Sequence, residues 1–302
     1  MRRIVVTNQK GGVGKTTTVC NLGAATAARG NKVLAIDLDP QAHLTLHFGV
    51  DPSPDRPGVY DVLTQGRPLD EVTLKVRKNV HLAPSLTRLA TAETELVSVV
   101  GREVILRDAV EATKADYDIV LFDCPPSLGI LTLNGLAAAD EVIIPLQPHF
   151  LGLQGMSELL RTISLVQRRI NAALRVEGVI LCMFETGTKL AAEVVDDLQK
   201  FLASARGSDV PWSDAKLYDA VIRRNIKLAE CPSYGMTIFD YAPRSNGALD
   251  YARLATEVLD RSAAPSRTPE ELTTLTARPS AREPQVRISS EPASDSSMAN
   301  IA

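Results

Sequence analysis

The chain has 302 residues, 45% of them hydrophobic and only 4% aromatic, so aliphatic side chains must build its core. A formal net charge of −3 excludes a uniformly basic coat, and any nucleic-acid contact has to come from a local patch. The four cysteines, Cys20, Cys124, Cys182 and Cys231, are scattered and form no CxxC pair, which argues against a disulfide framework or zinc site and for reduced thiols in a cytoplasmic protein.

Apolar bursts alternate with amphipathic stretches from the first residues onward. Strands are expected at Arg3–Thr7, Lys32–Ile36, Val80–Ala83, Ile119–Phe122, Val142–Pro145, Val176–Met183 and Leu217–Ile222. Helical patterns fall at Thr16–Arg29, Thr87–Val100, Arg102–Lys114, Ser157–Ile170, Leu190–Ala205 and Gly247–Arg261. The segment Asp51–Leu69, rich in Pro, Gly and Asp, is expected to be a surface excursion with one short helix. Strand and helix in alternation predict an α/β domain over residues 1–261, a mostly parallel central sheet flanked by helices on both faces, with ligands at the C-terminal strand ends. From residue 262 to 302 the composition turns to Pro, Ser, Thr and Ala, and a disordered tail is expected. Arg2-Arg3 is not followed by a signal-peptide apolar region, and no run approaches the ~20 apolar residues of a membrane span.

Three segments carry chemistry. Between the first strand and first helix stands Lys10-Gly11-Gly12-Val13-Gly14-Lys15-Thr16-Thr17, the strand–glycine loop–helix context of a phosphate-binding loop. Glycines let successive N–H groups and the helix N-terminus face an anion, Lys15 can reach the β- and γ-phosphates, and the Thr16 hydroxyl suits Mg2+. The usual pattern has glycine where Gln9 stands, and a second lysine, Lys10, opens this loop. Asp37 and Asp39 then follow the second strand, and Asp123 ends the strand Ile119–Phe122. Carboxylates there can hold Mg2+, directly or through water, or orient an attacking water.

Thr7–Thr17, Asp37–Gln41 and Asp123–Leu128, taken in order, resemble the deviant Walker-A family of ParA/Soj-type partition ATPases, with MinD as a cousin. The similarity continues through Val142–Gln147 and Val221–Gly235 to Tyr241–Gly247 and covers roughly residues 2–260. The resemblance implies the P-loop NTPase fold, ATP and Mg2+ as ligands, and slow hydrolysis of ATP to ADP and phosphate. It makes Lys10 the signature lysine that reaches the partner's phosphates in an ATP-sandwich homodimer, Lys15 the lysine for the subunit's own phosphates, Thr16 the Mg2+ ligand and Asp39 the residue that positions water. Asp123 is placed behind the Mg2+ shell, Asp37 in the supporting metal–water network, and Asn225 beside the base. After Asp39-Pro40-Gln41, where relatives read Gly-Asn-Ala, this chain has Ala42-His43-Leu44; where they read Ile-Pro-Arg-Asn it has Ile222-Arg223-Arg224-Asn225.

The family also implies non-specific binding of double-stranded DNA by the ATP dimer, a nucleoid-associated cytoplasmic location, and a ParB-like stimulator with a basic N-terminal segment. Arg223, Arg224 and Lys227 form the candidate DNA patch. Arg161, Arg168, Arg169, Lys189 and Arg206 are possible additions, although thirteen Lys/Arg against fourteen Asp/Glu over residues 151–260 give no net basic charge. Three rivals remain: a ParA-like ATPase that positions protein cargo, a MinD-like membrane-associated ATPase, and a small-molecule ligase or synthetase on the same fold. The tail lacks the basic amphipathic helix of a membrane anchor, so no membrane is expected. The phosphate loop starts almost at residue 1, which favours the short Soj-like type.

Overall fold

The computed structural model describes residues 1–148, 150–185 and 189–261, without the side chains of 150–154, 189–192 and 261; the expected tail 262–302 lies outside the described residues. In chain order the elements are β1 (Arg2–Val6), α1 (Lys15–Ala27), β2 (Val33–Asp37), α2 (His43–His47), α3 (Val59–Gln65), α4 (Leu69–Val72), β3 (Leu74–Arg77), β4 (Val80–Ala83), α5 (Leu89–Glu95), α6 (Ile105–Glu111), β5 (Ile119–Asp123), α7 (Ile130–Ala138), β6 (Glu141–Leu146), α8 (Phe150–Arg169), β7 (Arg175–Phe184), α9 (Lys189–Ser204), β8 (Lys216–Leu217), β9 (Ile222–Arg223), α10 (Ile226–Glu230), α11 (Ile238–Tyr241) and α12 (Asn246–Arg261). Short 3-10 turns follow α5 at Leu96–Ser98 and α10 at Cys231–Tyr234.

The strands form one sheet in the order β3-β4-β2-β5-β1-β6-β7-β8, with β9 continuing along the same strand β7. Every pairing is parallel except that of β3 with β4. Side chains alternate between two cores. Val5 and Leu34 join the layer containing Leu106, Leu131, Leu159 and Leu198, while Ile4, Val6 and Val33 join that of Val19, Leu22, Tyr251 and Leu254. Both sheet faces are therefore covered by helices, which is why the central strands are apolar through their middles, with charged residues only at their ends. The expected P-loop architecture is present.

Several elements depart from the sequence reading, among them the short helices α2, α4, α10 and α11, where no helix is expected from the sequence. Helix α7 was not foreseen because seven of its nine residues are buried, so no polar face marks its period. The edge strand β3 is half-exposed and mixed, and its pairing to β4 is interrupted by a bulge between Lys75 and Arg77. The strand expected over Leu217–Ile222 is two short pieces. Between them the Glu257 carboxylate accepts the Asp219 and Ala220 N–H groups at 3.0 Å each, taking donors that a strand would have given to a neighbour.

Candidate functional site

Strand register brings the three segments together. Val6, the last residue of β1, pairs with Asp123, and Asp123 pairs with Asp37 across β5 and β2. The phosphate loop and two acids thus leave adjacent strands at one C-terminal edge.

The loop is tied down at both sides. The Asn8 amide donates to the Pro145 carbonyl at 2.7 Å, while its oxygen accepts the Lys10 N–H at 3.0 Å. The Gln147 amide donates to the Gly12 carbonyl at 3.3 Å. Gly14 caps α1 with φ 94°, a left-handed conformation that any L side chain would strain, and Cys182 Sγ lies 3.6 Å from where a Cβ would stand. Gly11 and Gly12 are exposed, Val13 is buried, and Thr16 and Thr17 are half-buried in the first turn of α1.

Lys15 is only 6% exposed and its ammonium donates to the Lys10 carbonyl at 3.1 Å. Burial lowers its proton affinity, opposed by the charges of Asp123, Cys124 and Asp39. Lys10 itself is half-buried at the head of the loop, with its ammonium on a separate stem from that of Lys15.

The acids differ in character. Asp37 is fully buried and saturated: its carboxylate accepts the Asp39 N–H at 3.1 Å, the Thr45 N–H at 2.9 Å and the Thr45 hydroxyl at 2.7 Å. Burial nevertheless pushes its carboxyl up to about 7, the Thr45 and Asp39 donors offsetting only part of the desolvation. Asp37 therefore positions the loop that carries Asp39. Asp39 accepts the Gln41 N–H at 2.9 Å and is 8% exposed.

Asp123 is fully buried, and neither of its carboxylate oxygens makes a hydrogen bond of ordinary geometry, although the Thr16 hydroxyl lies close enough to favour its charged form. Its proton affinity is raised by burial first and by Asp37 next, with the nearby Thr16 hydroxyl and Lys15 ammonium opposing. Two orphaned oxygens are costly unless something positive completes them. Beside Thr16 and a phosphate loop, a hydrated Mg2+ fits that need. Among the described residues no group of three or more His, Cys, Asp or Glu forms a metal cage.

After Asp39, the departure at Ala42 has a structural cost. Ala42 N-caps α2 with φ 54°, the left-handed region where glycine is at ease. His43 is exposed on α2. Cys124 is buried, and a Cβ on Gly135 of α7 would lie 2.9 Å from its Sγ, so it acts as a small packing residue.

The candidate DNA residues part company. Arg223 sends its guanidinium to Asp250 at 2.6–3.2 Å, and its N–H donates to the same carboxylate, which is 2% exposed. Arg224 pairs with the exposed Glu185 at 3.0 Å, and Lys227 pairs with Glu230 at 2.7 Å while lying 5.6 Å from the Tyr241 ring. Asn225 caps α10, its side-chain oxygen accepting the Lys227 N–H at 2.9 Å. Of the possible additions, the Lys189 side chain lies outside the described residues. Sequence reasoning missed Thr45 and Arg77, whose roles depend on contacts that no local pattern announces.

Fold and site together define a P-loop NTPase of the α/β class, with one phosphate loop and acids on two neighbouring strands. A family model described as an AAA domain matches residues 1–176. The sporulation initiation inhibitor protein Soj of Bacillus subtilis is 43% identical over 84% of this chain and 97% of its own length. The chromosome partitioning protein ParA of Myxococcus xanthus is 38% identical over 86% of this chain and 88% of its own. A crystal structure of cobyrinic acid a,c-diamide synthase from Mycobacterium smegmatis with bound ADP and magnesium superposes with a TM-score of 0.73 at 35% identity, over 89% of this chain and all of that one. The chain belongs to the ParA/Soj family of partition ATPases.

Proposed function

We propose that this protein is an ATP-dependent dimerising switch that acts in chromosome or plasmid partition. Its ATP dimer binds double-stranded DNA without sequence preference, and a ParB-like partner with a basic N-terminal segment stimulates its slow hydrolysis. The observation that carries this reading is a second loop lysine, Lys10, beside a complete phosphate site in a chain 43% identical to Soj.

Within the site, the loop N–H groups and Lys15 bind the phosphates, releasing the Lys15 ammonium from the Lys10 carbonyl. Thr16, with Asp123 behind it, would hold a Mg2+ ion, which would supply positive charge against the phosphates. Asp39, set in place by Asp37, orients water toward the γ-phosphate. Lys10 meets the phosphates of the second subunit, so dimer lifetime follows the γ-phosphate. Asn225, next to β9, takes the base.

For DNA, Arg224 and Lys227 are the preferred contacts. Their ion pairs are exposed and therefore weak, so phosphates can replace the partners. Arg223 is engaged by a buried carboxylate and is left out of the contact. No helix among the described residues is long and apolar enough to cross a membrane. The proposed location is the cytoplasm, on the nucleoid.

The test compares retention on random-sequence DNA with ATP, ADP and no nucleotide, with liposomes in parallel. Retention on DNA only with ATP supports the proposal; retention on liposomes instead selects a MinD-like role. The Mycobacterium likeness favours a second reading, a small-molecule synthetase. ATP turnover that responds to a carboxylic-acid acceptor and an amide donor, and not to DNA with a basic peptide, would select it.

A further inference from the structure

Arg77 ends the edge strand β3 just after the bulge, which turns it off the strand and under three separate segments. One guanidinium nitrogen donates to the Phe48 carbonyl at the end of α2 at 3.4 Å, and the planar group lies 5.6 Å from the Phe48 ring. A second donates to the Gly235 carbonyl, which closes the 3-10 turn after α10, at 3.0 Å. Its Nε donates to Asp240 in α11 at 2.6 Å. Carbonyls at helical C-termini have no partner within their own helix, and a cation is well placed to satisfy them.

Two further contacts make the junction stiff. Gly49 and Gly235 touch backbone to backbone, and a Cβ on Gly235 would stand 2.6 Å from the Gly49 Cα. Buried His47 of α2 lies with Nε2 3.5 Å from Cys231 Sγ. Helix α2 cannot slide without pushing residues 231–235.

At its other end α2 is the continuation of the Asp39 loop. Asp37 holds both the Asp39 N–H and the Thr45 N–H and hydroxyl. Beyond Asp240 the contacts run on: the Tyr241 hydroxyl donates to Glu230 at 2.8 Å, and Glu230 accepts Lys227 at 2.7 Å. An unbroken series of hydrogen bonds and packed backbone therefore joins Asp39 to Lys227.

We propose that Arg77 is a positioning residue that couples the Asp39 loop to the face of residues 226–241, so that the nucleotide state sets the arrangement of that face. This inference rests on the nucleotide-switch reading above. A purely local role for Arg77, bracing the β3–β4 hairpin, would leave nucleotide responses elsewhere untouched.

The experiment is amide hydrogen exchange on the full chain with Mg2+ and either ADP or a non-hydrolysable ATP analogue. In the unsubstituted protein, exchange across 226–241 should differ between the two nucleotides by about fivefold or more, the lower end of ordinary coupling between sites. Arg77→Gln should keep nucleotide protection at residues 11–17 and lose the difference at 226–241. Asp240→Asn, at a side chain 47% exposed, should produce the same loss, and it decides the matter alone if Arg77→Gln fails to fold. A difference at 226–241 that survives in either folded variant overturns the proposal, as does its absence from the unsubstituted protein while 11–17 is protected. Absence of protection at 11–17 in the unsubstituted protein refutes the nucleotide site itself and removes the proposal's basis.

Discussion

Thr45→Val tests the internal support of the loop that carries Asp39 with little change of volume. The Thr45 hydroxyl is fully buried, donates to Asp37 at 2.7 Å and accepts the Ser85 N–H at 2.9 Å. Removing it leaves a buried N–H without a partner, at a cost of about 1–3 kcal/mol, and takes a donor from a carboxylate, worth about 1.5–3 kcal/mol while that group is ionised. The two terms share one atom and will not add fully, so we expect a loss of about 3 kcal/mol at pH 8. That is a large share of the 5–15 kcal/mol that holds a typical domain, roughly. Below about 7 the Asp37 carboxyl carries its own proton and needs the hydroxyl less, so the penalty at pH 5.5 should fall by about 1 kcal/mol. Thr45→Ser, which keeps the hydroxyl, should lose only about 1 kcal/mol for the missing methyl. Urea unfolding at both pH values measures all three. A loss under about 1 kcal/mol for Thr45→Val at pH 8, or equal losses for Val and Ser, would refute the reasoning.

Lys15→Ala should abolish productive ATP binding, whereas Lys10→Ala should spare much of the monomer's affinity and block the dimer; calorimetry with light scattering separates them, and a normal Lys10→Ala dimer removes the role assigned to that residue. Asp39→Ala should bind ATP and remain dimeric, and a monomeric ATP-bound variant in light scattering contradicts its role. Ala42→Gly should change stability by less than about 1 kcal/mol, because relief of left-handed strain is offset by the entropy cost of glycine and the loss of a buried methyl; a loss above about 2 kcal/mol would count against it. In nucleotide-free protein burial raises Asp37 to about 7 and also pushes Asp123 up, so both bind protons more tightly folded than unfolded. The stability they contribute is present in acid and is lost as pH rises through the folded value, so the melting midpoint should drop between about pH 5.5 and 8 and drop less with Mg2+ and ATP. A midpoint that rises over that interval would show the opposite linkage.

The parts of this molecule that sequence makes legible are those with a local signature. The phosphate loop needs glycine and lysine at fixed spacing, and the strands before Asp37 and Asp123 are short β-branched runs, so both site and sheet could be placed. The contacts that set the state of those residues are different in kind. Nothing around Thr45 marks it as the donor that, with two backbone N–H groups, occupies Asp37. Nothing around Arg223 distinguishes it from Arg224, yet one faces a buried carboxylate and the other an exposed one. Helix α7 was illegible for a complementary reason, since burial on nearly every side erases the polar face that gives a helix its period.

Charge placement bears on the proposed nucleotide switch. Two carboxylates, Asp37 and Asp123, face each other in the strand register with Asp39 just beyond; the protein supplies donors to Asp37 and Asp39. The Asp123 oxygens lack a protein hydrogen bond of ordinary geometry, and the Lys15 ammonium donates to the Lys10 backbone carbonyl. Nucleotide and cation would complete both groups at once, so the bound state relieves two costs that the free protein carries. Loss of the γ-phosphate would return only part of them, because ADP still occupies the loop. On the proposed reading, the difference between ATP and ADP is felt at Lys10 and Asp39, the residues assigned to the γ-phosphate. Asp39 is also where the hydrogen-bonded connection through α2 and Arg77 begins.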